Sequence, residues 1–191
     1  MASAGGSPSG RESEYSGEER TLLLALAHRA IAEALDGTQT DTTPPSEHLA
    51  ELRGAFTTLH REGQLRGCVG YVMPIYSLYR TIAETAVAAA FYDSRFYPVT
   101  AAEAPRLKVE ISVLSPLFPI APEEIEIGRH GLVVARGRQR GLLLPQVPVE
   151  HGWGRLKFLE QTCGKAGLPP DAWQHGAKLE AFVAEVFGEI E

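Results

Sequence analysis

Leu65-Arg66-Gly67-Cys68-Val69-Gly70 reads as part of the return strand of a β-hairpin. Ala55 to His60 forms the outgoing strand, Arg61-Glu62-Gly63 the turn, and Gln64 to Tyr71 the return. Alternate side chains of an extended strand share a face, so Arg66 and Cys68 are expected on the same side of the sheet. Gly67 and Gly70 offer nothing to pack and weaken a strand, which marks them as sites of a bulge or of close backbone approach. A cation, a thiol and two glycines so close together make the stretch a candidate site as well as a landmark of the fold.

The neighbouring segments supply the rest of the architecture. Ser16 and Glu19 match a capping box, and Leu22, Leu23, Leu26, Ala30, Ile31 and Leu35 follow helical spacing up to Gly37, which predicts a helix over 17–36. Thr38 to Glu47, with Pro44-Pro45, is a loop. Ser77 to Tyr92 is Ala-rich, and Leu78, Ile82, Thr85, Ala86 and Ala89 fall on one face, as in a helix packed closely on a sheet. Leu107 to Leu114 alternates apolar with polar residues and predicts a half-buried strand. Val133-Val134 and Gly141 to Leu144 form a second hairpin across the Arg-Gly-Arg-Gln-Arg-Gly turn. Trp153 to Lys165 is helical, stopped by Gly167 and Pro169-Pro170, and the run from Lys178 to Phe187 ends as a strand. Strands and helices mix without regular βαβ alternation. The fold class is therefore α+β, a mainly antiparallel sheet flanked by helices. Residues 1–17 lack apolar content and are expected to form a disordered tail before a single domain over 18–191.

Composition narrows the function. The chain has 191 residues, 44% of them apolar, and a net charge of −6 with no long basic run. Duplex nucleic acid held by phosphate neutralisation is a poor match to that balance. No apolar run reaches the ~20 residues of a membrane span, and the N-terminus has no secretory h-region. Cys68 and Cys163 are the only cysteines, without a Cys-x-x-Cys or a close His pair, so no metal or iron–sulfur site is expected within the chain. Two free thiols fit a reducing cytoplasm.

Several further blocks accompany Leu65 to Gly70. They are Ala89-Ala90-Phe91-Tyr92-Asp93-Ser94-Arg95-Phe96-Tyr97-Pro98, Glu110-Ile111-Ser112-Val113-Leu114-Ser115, His130-Gly131-Leu132, Leu143-Leu144-Pro145-Gln146-Val147 and Cys163-Gly164-Lys165-Ala166-Gly167-Leu168. In order and spacing the set resembles the AMMECR domain family, whose signature is Leu-Arg-Gly-Cys-Ile-Gly; Val69 stands here in place of Ile. The resemblance implies an α+β fold with a larger and a smaller lobe and a cleft near the signature strand. The family also supplies protein A of the AmmeMemoRadiSam system, which implies a radical SAM enzyme and a MEMO-type protein as partners. It names no cofactor.

Two chemistries are compatible with the candidate residues. In one, Cys68 or Glu110 does covalent or acid–base work and Arg66 binds an anionic substrate, helped by the backbone at Gly67. His60, His130 and His151 are the histidines available as partners for the thiol. In the other, Cys68 is a packed strand cysteine, Arg66 is half of an ion pair with Asp93 or Glu110, and the protein is a non-catalytic module that binds a small anionic ligand or a substrate for other enzymes. Asp93 and Arg95 are either the charged lip of a pocket or a turn cap with a helix-dipole partner. His130 is read as a ligand-binding candidate or a turn residue, and Gln146 as an amide presented to a ligand or a strand end.

Overall fold

The computed structural model describes residues 13–189. Its elements are α1 (Gly17–Leu35), α2 (Glu47–Ala50), β1 (Ala55–Arg61), β2 (Gln64–Tyr71), α3 (Leu78–Phe91), β3 (Lys108–Leu114), β4 (Phe118–Pro119), β5 (Gly131–Arg136), β6 (Gln139–Leu143), α4 (Gln146–Glu150), α5 (Arg155–Lys165), β7 (Lys178–Phe182) and β8 (Ala184–Gly188). The strands make two four-stranded antiparallel sheets, ordered β2-β1-β3-β8 and β4-β7-β5-β6.

In the larger lobe α1 and α3 cover one face of the first sheet. The capping box closes: the Glu19 N–H donates to Ser16 Oγ, and the Ser16 N–H donates to the Glu19 carboxylate. Ala55 and Leu59 of β1, Val109, Ile111 and Val113 of β3, and Leu78, Ile82, Ala86 and Ala89 of α3 are all buried in one core. Each large aliphatic side chain there contributes roughly 2 kcal/mol by leaving water. Thr57 and Thr85 bridge sheet and helix with a buried hydroxyl pair at 2.8 Å. In the smaller lobe α5 packs on the second sheet through Phe158, Leu159 and Cys163. A third cluster, Leu114, Val133 and Phe182 with Phe56 and Leu142 beside it, joins the lobes.

Three expectations differ in detail. Residues 1–12 of the expected tail lie outside the described residues, but Ser13 to Ser16 pack against the domain. Glu185 of β8 accepts from Ser13 Oγ and from the backbone N–H groups of Glu14 and Tyr15, and Tyr15 is only 1% exposed. The second hairpin turns on Gly137 and Arg138 alone, because Gln139 and Arg140 already pair with β5. The final run is two strands: Lys178–Phe182 lies inside the second sheet, and Ala184–Gly188 forms an edge of the first.

Candidate functional site

A bulge in the first hairpin decides which side chains meet. The turn is the two-residue loop Glu62-Gly63, with φ of 53° and 76°, as right-twisting hairpins require. It pairs Arg61 with Gln64 and His60 with Leu65. Continued without a break, that register would set Thr58 opposite Gly67. Instead the register shifts between Leu59 and His60, so Leu59 faces Gly67 and Thr58 faces Cys68. Arg66 is the extra residue.

The shift assigns each residue of the signature a separate task. Gly67 faces α3, where a Cβ would stand 2.1 Å from the Ala89 carbonyl oxygen. Only a residue without a side chain lets the helix lie this close. Cys68 and Gly70 face the other way; a Cβ on Gly70 would stand 2.2 Å from the Phe56 ring. Arg66 does not share the side of Cys68. It turns to the segment after α3, its Nε donating to Glu103 at 3.2 Å and its Nη2 to the Tyr97 carbonyl at 2.9 Å. Glu103 also accepts from Arg61 at 2.8 Å and from the Thr100 N–H at 3.0 Å. The Arg66 guanidinium, followed by the Thr100 N–H, holds the Glu103 carboxyl down at about 2. Arg66 is thus half of an ion pair, but with Glu103 and not with Asp93 or Glu110.

Asp93 and Arg95 clamp the outer edge of β2. The Cys68 N–H donates to Asp93 Oδ2 at 2.9 Å, and Arg95 Nη2 donates to the same carboxylate oxygen at 2.7 Å and to the Cys68 carbonyl at 3.4 Å. The Arg95 guanidinium is the main cause that keeps Asp93 far below the usual carboxylate range. These two residues cover the backbone groups of an edge strand and stand away from the cleft.

The opposite face of the sheet is the floor of a cleft of about 720 Å³ between the lobes. Cys68, Thr58 and Glu110 lie in one row across β2, β1 and β3. Because the N–H and C=O of Cys68 point outward to the clamp, Cys68 and Thr58 form a non-hydrogen-bonded pair, the closer kind. The Thr58 hydroxyl lies 3.2 Å from Cys68 Sγ. Phe56, Ser112 and Val186 add a second row, and Arg129, Gln146, Val149 and Glu150 close the cleft from the smaller lobe. Of the expected site residues, the structure therefore brings together Cys68, Glu110 and Gln146. It leaves out Arg66, Gly67, Asp93, Arg95 and His130. His130 is buried beyond the wall, its Nδ1 accepting from the Glu126 N–H at 3.0 Å and its ring edge-on to Phe118. None of His60, His130 and His151 lines the cleft.

Thr58, Ser112, Arg129 and Glu150 were missed. Ser112 carried a signal, since it alternates in phase with Glu110 on the polar face of its strand; Arg129 comes from a loop and Glu150 from the end of α4, and neither they nor Thr58 carried one. Among the described residues, one group of metal-ligating side chains, Glu14, His48 and Glu51, has ligand atoms within 4.8 Å of one another. Arg53 donates to both of those carboxylates, so a guanidinium already supplies the positive charge there.

Comparisons with known proteins place the chain in a family and match its overall fold. A family model described as AMMECR1 matches residues 24–187. A protein of Methanopyrus kandleri is 44% identical over 91% of this chain and 90% of its own length. One of Aquifex aeolicus is 41% identical over 88% and 92%. The crystal structure of the uncharacterized protein PH0010 from Pyrococcus horikoshii superposes with a TM-score of 0.72 at 43% identity, covering 88% of this chain and 90% of that one.

Proposed function

Because the chain belongs to the AMMECR1 family, we propose that it is a binding component, not itself a catalyst, which holds a ligand in the interlobe cleft and presents it to partner enzymes in the cytoplasm. The partners are those the family resemblance points to, a radical SAM enzyme and a MEMO-type protein. One observation carries the reading. Cys68, the strongest nucleophile in the cleft, faces the Thr58 hydroxyl at 3.2 Å and has no histidine or lysine on the lining walls to take its proton. Glu110 lies two strands from it, about 10 Å by strand spacing.

The cleft is otherwise built for recognition. Phe56, Leu114, Leu144, Val149 and Val186 supply apolar surface, and Thr58, Ser112 and Gln146 a few hydrogen-bonding groups, the usual make-up of a small-molecule site. Its charged groups are the carboxylates of Glu110 and Glu150 and one arginine, Arg129, which already pairs with Glu126. With Arg66 committed to Glu103, the ligand is recognised by an N–H or ammonium donor to Glu110 and by its apolar body, in place of the small anion expected from Arg66.

Anaerobic purification of wild type, Cys68→Ser and Glu110→Gln from the native host, followed by native mass spectrometry, tests this. Wild type and Cys68→Ser should carry the same non-covalent small molecule and bring down a radical SAM or MEMO-type protein, while Glu110→Gln loses the small molecule. A covalent adduct on Cys68, or turnover by the isolated chain that Cys68→Ser abolishes, would establish the autonomous enzyme instead.

A further inference from the structure

A second groove, of about 320 Å³, opens between the loops that follow α2, β2 and β3 and the strands β6 and β7. Its wall is Leu52, Met73, Leu117, Leu142 and Phe182, with Arg53 and Arg140 at its sides and no Asp, Glu or Lys among its lining residues. The apolar surface continues outward: Leu52 is 58% exposed, Met73 44%, and Ile75, beside it in the chain, 63%. Folding does not require large aliphatic side chains to stand in water next to one another, and such patches mark interaction surfaces.

The charge beside the groove is equally specific. On β6, Gly141 faces α5, where a Cβ would stand 2.3 Å from the Ala166 nitrogen, so Arg140 and Leu142 point to the groove side. Arg138 sits in the adjoining turn. Arg20, Arg53, Arg61, Arg66, Arg80 and Arg95 each hold a carboxylate. Among the described residues Arg138 and Arg140, like Arg29, Arg136 and Arg155, have none within 4.0 Å. In a chain of net charge −6 this leaves a local positive spot against an apolar trough.

We propose that this groove docks a short segment of a partner protein, which inserts an aliphatic or aromatic side chain and sets an Asp or Glu beside Arg140. Met, Phe and Arg without Lys, Glu or Asp is the composition of an interface centre. The volume suits one or two large side chains, at the small end of ligand sites. Two cations are too few to hold nucleic acid by its phosphates, whereas one or two suffice to orient an acidic peptide.

The proposal is independent of the cleft, and its test keeps the two apart. The probe is a random heptapeptide library displayed on phage, panned against the full chain and re-scored on Leu52→Asp, Met73→Asp, Arg140→Glu and the cleft variant Glu110→Gln. Leu52 and Met73 are exposed, so their variants should melt like wild type. Enriched peptides should carry an apolar residue next to Asp or Glu, bind Glu110→Gln as well as wild type, and lose about 10-fold or more on each groove variant. Enrichment of basic peptides, equal binding to the groove variants, or no enrichment would overturn it. So would binding of phosphatidylglycerol vesicles, or a concentration-dependent dimer, that the same variants abolish; these would assign the face to a membrane surface or to a second copy.

Discussion

At the scale of single residues, the two glycines of the signature are consequences of contact and not of turn geometry. Gly67→Ala must push α3 off the sheet, because its Cβ would meet a backbone carbonyl at 2.1 Å; a loss of about 3 kcal/mol is expected. Gly164, inside α5, has nothing within 4 Å of the same added atom, so Gly164→Ala should stabilise by about 0.5–1 kcal/mol through helix propensity. Urea unfolding of the two variants checks the pair, and equal effects would contradict the close approach. The sequence correctly marked Gly67 as a place of close approach. It misplaced Arg66, because the bulge that reverses its direction depends on how Leu59 and Gly67 fit beneath α3, a contact between segments far apart in the chain.

Elements are held in place here by carboxylates. Asp93 secures the edge of β2, and Glu103 ties β1 and β2 to the segment after α3. Both have depressed pKa values, so the unfolded chain takes up their protons first as the pH falls. Their contribution is complete above the ordinary carboxylate range and is lost on acidification, for Glu103 between about 4.5 and about 2. Glu103→Gln should lower stability at neutral pH by about 2 kcal/mol and flatten the acid limb of a plot of urea midpoint against pH. An unchanged limb would mean that the ion pair contributes nothing. The sequence foresaw an ion pair for Arg66 but named the wrong acids, since Glu103 lies in a loop without periodicity. The elements with strong periodicity, α1, α3 and β3, were legible almost to the residue. The run from Lys178 to Phe187 was ambiguous for a physical reason: its alternation breaks at Val183, where the chain leaves one sheet for the other.

For the whole molecule, the question is whether the lobes are separable. Trp153 and Trp173 both pack in the smaller lobe, whereas most helix belongs to the larger, so tryptophan fluorescence and far-UV circular dichroism report on different halves. The Ser115 N–H donates to the Val183 carbonyl at 2.8 Å, and the Val183 N–H donates to Ser115 Oγ at 3.0 Å. With the shared cluster of Leu114, Val133 and Phe182, these contacts should make unfolding one cooperative event with coincident transitions by the two probes. Two separated midpoints would show independent domains. The arrangement of the two lobes around a cleft was available in advance only through resemblance, because no local pattern states which hairpin faces which across a cleft.

The passage through Val183 also governs how the protein is made. β7 lies between β4 and β5 in one sheet, and β8 closes an edge of the other, so both sheets wait for the same short stretch, the last two strands in chain order. Every other strand must be made before either half can complete its hydrogen bonding, and until then two unfinished strand edges stand open together. A protein assembled in this way keeps bare strand edges exposed for longer than one whose halves finish in turn.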